Sequence, residues 1–131
     1  MVSLKHIEVE TQGHIILATF RGLLTAEEFQ YFLDKFEQQL QSATKRVLIS
    51  DHTELEALPV DLRKQLVEFR QANADRYPAA FYGLAYVQPT AVIRGALTAT
   101  FWLSKPTVPT QVFATLGEAR AWADEISRKP S

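Results

Sequence analysis

The polarity of the chain changes period several times, and each change marks an element. His6-Ile7-Glu8-Val9-Glu10 alternates polar with apolar residues, the period of a strand with one wet face. Its charged outward side suits an edge strand, where charge discourages pairing with other chains. Thr11-Gln12-Gly13 reads as a turn into a second strand over residues 14–20, apolar through its middle as in a strand covered on both faces. So short a turn makes the two strands antiparallel neighbours.

Gly22 closes this strand and Thr25 opens a helix. Thr25 and Glu28 have capping-box spacing, so each side chain can satisfy a free backbone donor of the other. Phe29, Phe32, Leu33, Phe36 and Leu40 then form one apolar stripe at helical spacing, which predicts a helix lying on a sheet. Residues 47–49 are a short buried third strand, and residues 51–58 a polar connection. Pro59 suits the first helical position, where its missing N–H is no loss. Leu62, Leu66 and Phe69 mark the inner face of this second helix, Lys64 and Glu68 its wet side, and Tyr77-Pro78 sets its latest end. Phe81–Val87 is an apolar fourth strand. A third helix from Pro89 carries Val92, Ile93, Ala96, Leu97, Thr100 and Phe101; a last strand covers 111–114. Thr115 and Glu118 repeat the capping-box spacing before a stripe of Ala119, Trp122, Ala123 and Ile126.

The order ββαβαβαβα predicts a single α/β domain. Strands alternating with helices imply a five-stranded, mainly parallel mixed sheet with right-handed crossovers and an antiparallel first strand, covered by four helices. The 131 residues suffice for one core and leave no room for a second. No repeat or linker interrupts them.

Charge narrows the function. Fourteen Lys and Arg face fifteen Asp and Glu, and neither sign forms a block, which argues against nucleic acid as a partner. The absence of cysteine removes disulfides, thiol nucleophiles and thiolate ligands, and suits a reducing cytoplasm. No apolar run approaches the ~20 residues of a spanning helix, and the first residues hold no apolar signal core.

Chemically interesting groups crowd together once, in Asp51-His52-Thr53-Glu54-Leu55-Glu56. This segment follows a strand's C-terminal end, where open α/β sheets bind ligands. Asp51, His52, Thr53 and Glu54 are therefore candidate partner- or ligand-binding residues. An acid–base or metal role has no paired-histidine spacing to support it, so neither metal nor cofactor is expected. His6 and His14 flank the first turn and could meet across the hairpin. No nucleophile elbow or glycine-rich phosphate loop is present; Gly83, inside a strand, marks a bulge or a close backbone approach. In Phe101-Trp102-Leu103 three large apolar residues cannot share one helical face. If Phe101 faces the sheet, Trp102 turns some 100° away, either under the loop over 105–110 or toward a partner.

Three stretches resemble a known family: Gly22-Leu23-Leu24-Thr25-Ala26-Glu27-Glu28, Arg46-Val47-Leu48-Ile49-Ser50-Asp51, and Phe113-Ala114-Thr115-Leu116-Gly117-Glu118-Ala119-Arg120-Ala121-Trp122. They are similar to the bacterial STAS/SEC14-like domains, related to the SpoIIAA-like anti-sigma-factor antagonists. The resemblance implies the same fold and a non-catalytic regulatory module that binds a protein partner or its own copy as a homodimer. Its SEC14 side implies the alternative, a carrier or sensor of a small apolar ligand or lipid. An enzyme centred on Asp51 and His52 is the third reading. Relatives that act as phospho-switches carry a serine at the start of the second helix; Leu58-Pro59-Val60-Asp61 has no hydroxyl there.

Overall fold

The computed structural model describes residues 5–103 and 105–128. β1 (Ile7–Gln12) and β2 (Ile15–Leu23) form a hairpin, followed by α1 (Ala26–Leu40) and β3 (Arg46–Ala57). Next come α2 (Val60–Asn73), a 3-10 turn (Ala74–Arg76), the short α3 (Tyr77–Ala80) and β4 (Phe81–Val87). α4 (Ala91–Leu103), β5 (Thr110–Phe113) and α5 (Leu116–Arg128) complete the described chain. The five strands lie in the order β1-β2-β3-β4-β5, the first pair antiparallel and the rest parallel. This is the predicted sheet.

Pleating sorts β2 into two cores. Ile16, Ala18 and Phe20 join Phe29, Phe32 and Phe36 of α1, with Leu62 of α2, Tyr77 of α3 and Tyr86 of β4. Ile15 and Leu17 point the other way, with Val47, Ile49, Ala85 and Val87 against Ala119 and Ala123 of α5. Three crossover helices thus share one face and α5 has the other. Five strands about 4.8 Å apart span about 19 Å, while packed helices need 8–10 Å each. Two helices fill that width and a third overhangs it. The overhanging helix is α4, which buries no residue.

Several boundaries differ from the sequence expectation. β3 does not stop near residue 49: residues 51–56, expected as a loop, continue the strand against the end of β2. β2 itself runs through Gly22, whose φ of 57° bends it, to Leu23. Helical structure also passes Tyr77-Pro78, because Pro78 stands in the first turn of α3, where no hydrogen-bond donor is needed. α4 starts at Ala91 instead of Pro89. Gly83 is a close approach: a Cβ there would meet the Pro109 carbonyl oxygen and the Trp122 ring at 2.8 Å.

Candidate functional site

Across from Thr19 and Arg21 of β2, β3 inserts one extra residue, Thr19 pairing with Asp51 and Arg21 with Glu54. The bulge re-aims the side chains on either side of it. Asp51 Oδ1 accepts from the Thr53 N–H at 3.0 Å and from its hydroxyl at 2.6 Å, a local turn within the strand. His52 points inward, edge-on to Phe20 at 5.3 Å and Tyr86 at 5.8 Å between centroids. Loss of hydration and the nearby Arg70 charge push its pKa down to about 4, against the opposing pull of Asp51. The imidazole is neutral at pH 7. Thr53 and Glu54 are exposed, and Glu54 pairs with Arg21 at 3.3 Å. The bulge thus splits the four candidates: Thr53 and Glu54 on the surface, His52 within an aromatic cluster, and Asp51, half-buried, bonded to Thr53.

The two histidines of the hairpin do not meet. His6 Nδ1 lies 2.9 Å from Glu28 of α1, and His14 Nε2 lies 2.7 Å from Asp124 of α5. The sheet separates those helices, so the hairpin cannot bring the rings together. No group of three or more His, Asp or Glu side chains among the described residues is placed to hold a metal ion.

Beyond His52 the cluster opens into a cleft of about 390 Å³ between α2 and α4. Leu84 and Tyr86 floor it; Val67 and Phe101 stand on its walls; Lys105 and Pro106 are at its mouth. Tyr86 packs on Phe101 at 5.4 Å, and the Arg70 guanidinium sits 5.4 Å from the Tyr86 ring centre while donating to the Tyr86 hydroxyl. Tyr77 also lines the cleft. It is 4% exposed, and its hydroxyl has no hydrogen-bond partner. Burial pushes that phenol's pKa well above its usual value.

Arg70, Tyr77, Tyr86 and Lys105 were not singled out in the sequence, since they come from four separate segments with no common spacing. The usable signal was a phenol in an otherwise apolar strand, a polar tip that needs a partner when buried, but Tyr82 and Tyr86 of β4 share it.

On the outer side of this cleft α4 presents an apolar surface. Val92 is 81%, Trp102 79% and Leu103 91% exposed. Trp102 is therefore not covered by the loop that follows it, and Phe101 takes the inward position.

The chain superposes on a crystal structure of an uncharacterized protein from the DUF3478 family of Shewanella loihica, with a TM-score of 0.70. That protein has a SpoIIAA-like fold; the match covers 94% of this chain and 98% of that one at 18% identity. This fold is SpoIIAA-like. The same framework recurs in an anti-sigma factor antagonist of Mycobacterium paratuberculosis (TM-score 0.56, 16% identity, 90% and 92% covered). SpoIIAA in its unphosphorylated form gives a TM-score of 0.59 at 12% identity, with 94% and 99% covered. By sequence, no protein-family model matches the chain, and no curated protein matches closely enough to carry an argument. Among the described residues no helix of this SpoIIAA-like chain is long and apolar enough to cross a membrane.

Proposed function

We propose that the protein is a non-catalytic interaction module that associates through the outer face of α4, in the first instance with a second copy of itself. The observation that carries this reading is α4 itself, a 13-residue helix with no buried residue. Arg94 is its only charged residue. A helix left this apolar in water gains by being covered, and a large aromatic such as Trp102 contributes strongly once it is buried in an interface. Similarity to anti-sigma factor antagonists supports a protein as the partner class. Thr53 and Glu54, exposed at the end of β3, offer a second, polar contact surface. The start of α2 offers no hydroxyl, so association is not switched by phosphorylation there.

Sedimentation velocity on the wild type and on Val92→Glu tests this. A dimer at high micromolar concentration that becomes a monomer in the variant, with unchanged thermal stability, is the expected result. A wild type that stays monomeric, or a dimer indifferent to Val92→Glu, overturns self-association through α4.

The alternative, a carrier of a small apolar ligand, has one observation in its favour: the cleft between α2 and α4, whose floor and walls are largely apolar.

A further inference from the structure

We propose that this cleft binds a small single-chain carboxylate, its head on Arg70 and the Tyr77 hydroxyl and its apolar body against Leu84 and Phe101. The inference rests on the carrier reading and is independent of docking through α4, since it uses the inner side of that helix.

Three observations converge on an anionic head. Tyr77 lines the cleft, and its hydroxyl is buried without a partner, a condition that proteins seldom keep unless something else completes it. Arg70 is half-buried, and no carboxylate among the described residues forms an ion pair with it. Its hydrogen bond goes to the Tyr86 hydroxyl, and the planar fork carries five donors in all. A guanidinium of this kind matches a carboxylate through two parallel hydrogen bonds. Lys105 at the mouth adds a second positive charge, and no acidic side chain lines the cleft.

The apolar lining and the size fix the rest. A volume of about 390 Å³, at about 30 Å³ per water-sized group, holds about a dozen non-hydrogen atoms. A medium-chain or aryl carboxylate of about ten non-hydrogen atoms fits that space. Tyr86 and Phe101, whose rings lie 5.4 Å apart and only 31° from parallel, offer the apolar surface on which such a body lies.

Titration calorimetry of the full chain with octanoate, octan-1-ol and octyltrimethylammonium separates head from body. Octanoate is expected to bind at one site at least tenfold more tightly than octanol, and the ammonium compound not at all. Arg70→Met should remove the advantage of octanoate while leaving octanol binding unchanged, which also shows that the variant is folded. Tyr77→Phe should weaken octanoate several-fold with no loss of thermal stability, because it deletes a hydroxyl that has no partner in the free protein. Equal binding of octanoate and octanol overturns the anionic head and leaves the carrier reading standing. Binding of neither ligand overturns both. Binding only to phosphatidylglycerol vesicles, with none to octanoate, overturns the proposal as well.

Discussion

The Glu28 carboxylate grips His6 at two points, one oxygen accepting from the His6 backbone N–H at 2.8 Å and the other lying 2.9 Å from ring Nδ1. The same side chain closes the capping box by accepting from the Thr25 N–H at 3.0 Å. One buried charge therefore fixes both the first turn of α1 and the start of β1. Burial alone would raise its pKa, but the bonds from Thr25 and His6 outweigh that and hold it at about 2.

A carboxylate whose folded pKa lies below its unfolded value of 4.5 contributes stability above pH 4.5 and loses it as pH falls toward 2. Glu28→Gln should cost about 2–4 kcal/mol at pH 7. Urea unfolding of both proteins should show the gap closing between pH 5 and pH 2; a gap independent of pH contradicts the arrangement.

His52 works in the opposite chemical sense over a different range. Its folded pKa, about 4, lies below the unfolded 6.5, so protonation favours the unfolded chain. Stability is full above pH 6.5 and falls as pH drops from 6.5 to 4, by about 1–2 kcal/mol once solvent screening of a half-buried ring is allowed for. His52→Gln should flatten this part of the pH profile in thermal melts. A wild-type profile already flat from pH 7 to pH 5 refutes the burial of a neutral ring.

Core and surface aromatics should separate sharply. Phe32 lies 5.1 Å from Phe20 and 5.9 Å from Phe36. Phe32→Ala should cost about 3–5 kcal/mol. Trp102→Ala should cost less than about 0.5 kcal/mol while weakening self-association. Chemical denaturation of the two variants side by side measures the contrast, and comparable losses would mean that Trp102 is structural.

Gly83→Ala places a methyl 2.6 Å from Ile126 Cδ1 and 2.8 Å from the Pro109 carbonyl oxygen. The Ile126 tip can swing away, but the backbone oxygen cannot move without displacing β5. A loss of about 1–3 kcal/mol is expected, only partly rescued by Ile126→Val. Full rescue in unfolding experiments would show that the Pro109 contact is soft.

The sequence carried the element order because the apolar stripes of α1 and α5 and the continuous apolar run of β4 are unambiguous in period. It hid the second half of β3. There the bulge after Asp51 breaks the alternation of His52, Thr53 and Glu54, and β4 ends opposite Asp51, so the polar residues beyond it need no second neighbour. The apolar residues of α4 announced a helix without saying how much of it is covered; the limited width of the sheet leaves Val92 and Ile93 in water, a constraint that no local pattern contains. The cleft was invisible for a related reason: Arg70, Tyr77, Tyr86 and Lys105 meet only once the chain has folded.

Because each strand pairs with the one before it in the chain, the sheet can grow in the order of synthesis. A nascent chain leaving the ribosome adds every new strand to an edge already made, and no earlier pairing has to be undone. The exception is the face formed by Ile15, Leu17, Val47, Ile49, Ala85 and Val87. Its cover, α5, is the last described element to emerge, so that face stays wet through most of translation. A chaperone that recognises apolar β-surface would find its binding site there, and would be displaced when Ala119 and Ala123 dock.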